Sequence, residues 1–390
     1  MEDDSVVQDI SYTHSVLEGT AYEVGKQQGE WLMQYPEAIV RFLTPPPSEH
    51  GPLTPRQANE AFVFFDRYCP GLNDEIRGFA DSLGMQPEQI LYYATAYAHP
   101  GQCSHTVVLP LASENGHVYV GRSYEWSHKD EDLNLATARV TGHAAHIGFS
   151  TNLFGRVDGL NEYGLCVTMS TGAIPYAPPV KALAEQGGCQ LWSAIRTVLD
   201  CCRTVDEALD AIQSIPISST PNLILADRQG QAALVEVFFS HRAVKRIGPD
   251  TPEQFLVAAN HYTLPAMRPY DLTRMWQSVA RYRALESRFQ SATPHITAET
   301  IRDILSDPIP RGVCCAYYSD YLGTLWSEIF DVTTGTVEIC FGAPTHNPWQ
   351  TFDLHDPVGM TRYTAKIEDE IAASALWKVL LPGVNDLASD

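Results

Sequence analysis

Two hydrophobic periods divide this chain. Over the first hundred residues the apolar positions recur at helical spacing, and beyond residue 103 they alternate. A short strand ahead of residue 20 leads into a helix from about 21, within an apolar-rich segment that runs to Leu43. The breaker-dense stretch from Pro45-Pro46-Pro47 to Pro55 predicts a loop. Ala58 to Leu83 reads as helix interrupted at Pro70-Gly71, and Pro87 suits the first turn of another helix reaching about Ala98.

Alternating segments follow at 103–109, 117–125, 134–141, 144–150, 154–160 and 164–170, separated by turns such as Glu114-Asn115-Gly116 and Asn161-Glu162-Tyr163-Gly164. Helices at about 188–202 and 204–214 precede strands 222–227, 231–238, 241–248 and 255–260, with Asp227-Arg228-Gln229-Gly230 as a hairpin turn. Helices at about 270–290 and 297–306 lead to a hairpin of 323–331 and 335–342, turning at Thr333-Thr334-Gly335, and from 349 the pattern is mixed. Strand runs alternating with helix pairs predict an α+β fold, two antiparallel sheets sandwiched between helices. A mainly helical segment, 1–102, and a sheet-bearing core, 103–390, would together form one structural domain.

Composition narrows the function classes. At 44% hydrophobic and 19% charged, the 390-residue chain reads as an ordinary globular protein. Its net charge of −21 repels phosphate backbones and anionic lipid surfaces, so neither nucleic acid nor membrane is expected as a partner. The start, Met1-Glu2-Asp3-Asp4-Ser5, is acidic where a secretion signal is basic and then apolar. Nine cysteines, most within apolar runs, read as buried free thiols and point to a reduced, cytoplasmic setting. Cys201-Cys202 and Cys314-Cys315 lack the two-residue gap of zinc or redox motifs, and His143-Ala144-Ala145-His146 falls in a strand turn. With no phosphate-cradling glycine loop and no GxSxG elbow either, no metal and no cofactor are expected.

One stretch carries chemistry: His99-Pro100-Gly101-Gln102-Cys103-Ser104-His105-Thr106-Val107-Val108. Cys103 opens a strand, Pro100 and Gly101 loosen the chain before it, and Ser104, His105 and Thr106 keep its surroundings polar. Those features make it a candidate nucleophile, with a structural cysteine as the alternative, while the other eight cysteines read as structural. Arg122 and Glu125 fall on the strand after the first hairpin, which antiparallel pairing returns beside Cys103. They could equally be an exposed ion pair. A cysteine protease of papain type, with His105 or His261 as base, is an alternative use of the same thiol.

The seam resembles that of the cysteine N-terminal nucleophile (Ntn) hydrolases, most of all the penicillin (isopenicillin N) acyltransferase branch, peptidase family C45. That branch is related to choloylglycine hydrolases and acid ceramidase-like amidases. The likeness runs through Gly19-Thr20, Tyr22-Glu23-Val24-Gly25, Gly29-Glu30 and Glu75-Ile76-Arg77-Gly78-Phe79-Ala80 to the Cys103 seam. It continues in Gly121-Arg122-Ser123-Tyr124-Glu125-Trp126, Gly159-Leu160-Asn161-Glu162-Tyr163-Gly164-Leu165, and Leu225-Ala226-Asp227 leading to Val235-Glu236. Ala259-Asn260-His261, Thr324-Leu325-Trp326-Ser327 and Gly342-Ala343-Pro344 complete it.

The resemblance implies a four-layer αββα fold and self-cleavage between Gln102 and Cys103, giving an α fragment and a β fragment of one chain. It also implies acyl transfer from a linear amide through a thioester on Cys103, with the freed α-amine as base. Arg122 and Glu125 would then orient the amine and steady the thiolate, although the family usually carries aspartate where Glu125 stands. Asn260 matches the oxyanion donor, with a turn-capping role as the alternative, and Ser170 and Ser327 are further oxyanion or substrate candidates. The family often has glycine where this chain has Gln102. Gln102 and Glu125 would also permit a catalytically idle member that keeps the fold for ligand binding or assembly. The implied substrate is a small acyl amide or acyl peptide, and a homo-oligomer is compatible with the reading.

Overall fold

The strand Gln102–Val108 is buried on both faces, because a second sheet covers one side and the helix Trp276–Ala292 the other. A computed structural model describes residues 6–34, 53–95, 102–172, 188–271, 274–359 and 361–380. The smaller sheet runs Phe255–Ala258, Gln102–Val108, Tyr119–Trp126, Leu322–Asp331, Thr336–Phe341 and Trp349–Asp353, with Ala316–Tyr317 paired beside Leu322–Asp331. Every neighbouring pair in it is antiparallel.

The larger sheet runs His241–Ile247, Ala232–Phe238, Pro221–Asp227, Leu165–Thr171, Asp158–Asn161, His146–Thr151, Asn134–Val140, Val6–Gly19 and Thr361–Asp369. Its strand Leu165–Thr171 packs across Gln102–Val108. Helices Leu191–Cys201 and Val205–Ser214 cover its outer face, and Trp276–Ala292 and Ala298–Ser306 cover the outer face of the smaller sheet. The order of layers is therefore helix, sheet, sheet, helix. One pair departs from the antiparallel rule: Val6–Gly19 lies parallel to Asn134–Val140. Parallel neighbours need a long crossover, and here it contains the early helices and the first hairpin of the smaller sheet.

Local chemistry explains where the helices begin. Thr20 Oγ1 accepts from the Glu23 amide while the Glu23 carboxylate accepts from the Thr20 amide, a capping box that starts Ala21–Leu32. This helix lies hard against Leu72–Leu83. A Cβ on Gly25 would sit 1.8 Å from the Glu75 carbonyl oxygen, and one on Gly78 would sit 1.9 Å from that of Tyr22. Arg196 ties the helical layer together, 2.8 Å from both Glu75 and Asp200. Asn161 and Asp227 are turn-makers: the side-chain Oδ1 of Asn161 accepts from the amides of Tyr163 and Leu165, and the Asp227 carboxylate accepts from those of Gln229 and Gln231.

Several expectations change. The first strand runs 14 residues, Val6–Gly19, inside the larger sheet. The helix expected from about 270 begins at Trp276, after a 3-10 turn over Pro265–Tyr270 that contains Pro269. The segment 154–160 splits into Gly155–Arg156 and Asp158–Asn161. The tail is ordered into Trp349–Asp353 and Thr361–Asp369, and the latter pairs residue by residue with the first strand. Thr361–Asp369 is an edge strand with charged, partly exposed side chains, which blurs its period. The apolar segment beyond residue 34, the Pro45–Pro47 loop and His99–Gly101 lie outside the described residues.

Candidate active site

Antiparallel pairing sets Cys103 opposite Tyr124, Gln102 opposite Glu125 and His105 opposite Arg122. Opposed residues share a face and successive residues alternate. Cys103, His105, Arg122 and Tyr124 therefore project toward the larger sheet, while Gln102, Ser104, Ser123 and Glu125 project toward the helix Trp276–Ala292. The candidate residues fall into two layers on either side of one strand pair.

In the inner layer Arg122 is wholly buried and held by the larger sheet. Its Nε lies 3.0 Å from Asp158 Oδ2, Nη1 donates to the carbonyl of Val157 at 3.2 Å, and Nη2 lies 3.6 Å from Cys103 Sγ. Asp158 is itself fixed, accepting from the Phe149 amide at 2.8 Å and from Trp326 Nε1 at 3.3 Å. Tyr124 stacks on Trp326 at 4.0 Å between ring centroids. Burial pushes the Cys103 thiol up to about 12, against the pull of the neighbouring Arg122 guanidinium. Glu328 pairs with Arg122 in register and is also wholly buried. Burial, and then the adjacent Asp158 charge, raise its carboxyl well above the ordinary range.

In the outer layer Arg281 is the hub. Nη1 donates to Ser104 Oγ at 2.8 Å and lies 3.3 Å from Glu125 Oε2, and Nη2 donates to Asn260 Oδ1 at 2.8 Å. Glu125 also accepts from the hydroxyls of Ser123 and Thr324, and burial raises its carboxyl from 4.5 to about 7. Gln277, one helical turn before Arg281, accepts from Arg281 Nε at 3.1 Å and donates to Gln102 Oε1.

The structure thus brings Arg122 to the sulfur and sets Glu125 and Asn260 around Arg281. Arg122 and Glu125 are both buried and do not pair, so the exposed ion pair is ruled out. Asn260 follows Phe255–Ala258, whose Ala258 pairs with His105, so the chain there runs on toward the level of Cys103. Its side-chain amide donates to the Thr171 carbonyl at 3.1 Å. Ser170 is buried and donates to the Ala259 carbonyl at 2.6 Å. Ser327 is buried opposite Ser123, and among the described residues its hydroxyl has no hydrogen-bond partner. His105 Nδ1 bonds Thr168 and His261 Nδ1 bonds Ser278, and among the described residues neither ring is hydrogen-bonded to Cys103. A cleft lined by Ser15, Gln28, Trp31, Asp132 and Leu153 opens elsewhere, and none of these candidates lines it.

Asp158, Gln277, Arg281 and Glu328 were not legible as site residues. Gln277, Ser278 and Arg281 did leave a signal: polar residues at i, i+1 and i+4 on a helix whose same face must be buried.

Two mainly antiparallel sheets between helical layers are the fold of the Ntn hydrolases and their acyltransferase relatives. The family model of acyl-coenzyme A:6-aminopenicillanic acid acyl-transferase matches residues 111–346, more than half of the chain, and the chain belongs to that family. The match takes in Arg122, Glu125, Ser170, Asn260, Arg281 and Ser327 and begins after Cys103. Among solved structures, the Caenorhabditis elegans N-acylethanolamine-hydrolyzing acid amidase ortholog is 16% identical, covering 59% of this chain and 93% of that one, at a TM-score of 0.45. Penicillin V acylase from Agrobacterium tumefaciens is 17% identical, covering 68% and 90%, at 0.42. A conjugated bile acid hydrolase mutant from Clostridium perfringens is 12% identical, covering 66% and 96%, at 0.41. No curated protein matches the chain.

Proposed function

We propose that this protein is a self-processing cysteine amidohydrolase or acyltransferase that cleaves a linear amide through a thioester on Cys103. The observation that carries the reading is the Arg122 guanidinium, anchored on Asp158 and 3.6 Å from the Cys103 sulfur at the start of an interior strand. A thiol held near 12 is a poor nucleophile at neutral pH. It needs a base, and neither histidine is bonded to it. Burial also keeps His105 well below its ordinary value and lowers His261 to about 3. The base in this reading is the α-amine of Cys103 itself, as the family resemblance implies, and it exists only after the chain is cut.

In the cut, the Cys103 sulfur bonds to the Gln102 carbonyl carbon and the carbon–nitrogen bond breaks. The thiol proton goes to the departing Cys103 nitrogen, leaving a thioester and a free amine. Water then adds to the thioester carbon, the carbon–sulfur bond breaks, and the sulfur regains a proton. The new α-amine, with an ordinary value of about 7.7–8.0, is neutral enough at physiological pH to take the thiol proton in each later cycle. A substrate amide follows the same path: it acylates Cys103, its amine leaves, and water or an acceptor amine takes the acyl group. The oxyanion of each tetrahedral intermediate needs a donor, a role we assign to Asn260, and Ser170 and Ser327 are further oxyanion or substrate candidates in this reading. Arg122 steadies the thiolate, and Glu125 acts on the amine through the Arg281 network.

The substrate we propose is a small acyl amide or acyl peptide. Nucleic acid and membrane play no part in this reading, and no cofactor enters its chemistry. All nine cysteines are unpaired, the state a reducing compartment maintains, and a cytoplasmic setting belongs to the same proposal. Among the described residues no helix is long and apolar enough to cross a membrane.

Intact-mass analysis and N-terminal sequencing beside a Cys103→Ala variant test the reading. Two fragments, the second starting at Cys103, are expected for the unaltered protein and one chain for the variant. A fully active protein whose only amino terminus precedes Cys103 would refute self-processing. An uncut chain with no thiol-dependent turnover would instead favour the idle, ligand-binding member of the family.

A further inference from the structure

The geometry points to a clamp, Gln277 and Arg281 on the helix Trp276–Ala292, that grips both neighbours of Cys103 and positions the Gln102–Cys103 bond for its own cleavage. This rests on the self-processing reading above. Gln102 Oε1 accepts from Gln277 Nε2, and Gln102 Nε2 donates to the Tyr321 carbonyl at 3.4 Å. Gln277 Oε1 in turn accepts from Arg281, and Arg281 Nη1 donates to Ser104 Oγ at 2.8 Å. Gln277 and Arg281 are one turn apart and buried, so both project from one stripe of the helix.

Residues 102 and 104 share the outer face of the strand, and 103 points inward. The clamp therefore pins the main chain on both sides of Cys103 while leaving its thiol against Arg122. Pinning matters because intramolecular attack depends on orientation, and a misplacement of about 1 Å costs on the order of a hundredfold in rate. It also accounts for a glutamine where the family often has glycine. A glycine lets the backbone reach a strained conformation unaided, whereas Gln102 offers a carboxamide that holds one conformation. Gln277 and Arg281 are positioning residues in this scheme, since neither touches the scissile atoms.

The test compares cutting rates by intact mass for the unaltered chain, Gln277→Glu, Gln102→Ala and the double variant. Gln277→Glu keeps an acceptor for Arg281, removes the Nε2 donor that serves Gln102 and Met275 Sδ, and adds a buried charge beside Arg281, so a purely structural role predicts altered stability with the cutting rate of the folded chain unchanged. The clamp predicts that each single variant cuts about tenfold to a hundredfold more slowly. The double variant should be no slower than Gln102→Ala alone, because both substitutions break one link. Thermal unfolding in a Cys103→Ala background checks that the variants fold, and Gln102→Ala, at a half-buried site, carries the test if Gln277→Glu does not. Cutting by Gln102→Ala at the unaltered rate, or slowing that multiplies in the double variant, would overturn the clamp while leaving self-processing intact. An unaltered chain that never cuts would instead remove the reading on which the clamp rests.

Discussion

Arg122 and Glu125, three residues apart on one strand, are buried on opposite faces of the smaller sheet and serve different partners. Arg122 meets Asp158 and the Cys103 sulfur, and Glu125 meets Arg281. An odd separation on a strand allows nothing else. The Glu125 carboxylate meets Arg281, which donates to Ser104 beside Cys103, and among the described residues it is not hydrogen-bonded to the Cys103 thiol.

Replacing Arg122 by leucine leaves Asp158 without its cation in a dry interior. The expected loss is about 3–5 kcal/mol of stability in urea unfolding of the uncut Cys103→Ala protein. Adding Asp158→Asn should restore much of it, because the two side chains act as one unit. Additive losses would show that they do not.

Cutting and turnover should respond differently to pH. In the intact chain the thiol sits near 12, so at pH 8 the thiolate fraction is about one in ten thousand. If attack is by the thiolate, the initial cutting rate should climb roughly tenfold per pH unit from about pH 6 to 9. Turnover by the cut enzyme should instead level off above about pH 8, where most of its α-amine is neutral. Parallel profiles in the two assays would argue against the amine as base.

Glu125 should make stability fall as pH rises. Its folded value of about 7 lies above the ordinary 4.5, so the native state binds this proton more tightly than the unfolded chain does. That contribution is complete below about pH 4.5 and is lost as pH rises through 7. It amounts to about 3 kcal/mol, an order-of-magnitude figure. Glu125→Gln, again with Cys103→Ala, should flatten this part of the profile, and an unchanged slope would assign it to another group.

Asn260→Ala should lower turnover by the cut enzyme by about 10²–10³-fold if the amide stabilises the oxyanion. Its present contacts, Thr171 and Arg281, predict only a modest change in unfolding midpoint. A large stability loss with turnover nearly intact per folded molecule would return Asn260 to a purely structural role.

Much of the fold was legible because it is written in local period. The strand opening at Cys103, the hairpin turning at Thr333–Gly335 and the helix Ala298–Ser306 all lie close to where the pattern puts them. The interruption at Pro70-Gly71 is also seen, with Gly71 at φ +83° between two helices. The family, too, was readable, since the order and spacing of short motifs survive where no single motif is distinctive.

Alternation along the chain determined that the core is layered sheet, and it brought Cys103 level with the Arg122 strand. Tertiary structure alone decided the rest: that Val6–Gly19 is clasped between Asn134–Val140 and the edge strand Thr361–Asp369, and that Arg281 joins Ser104, Glu125 and Asn260. The reason is range. A hydrophobic period is set by a residue's immediate neighbours, whereas a buried charge is tolerated only where distant segments supply its partners, and the one-dimensional pattern carries no record of which segments those are.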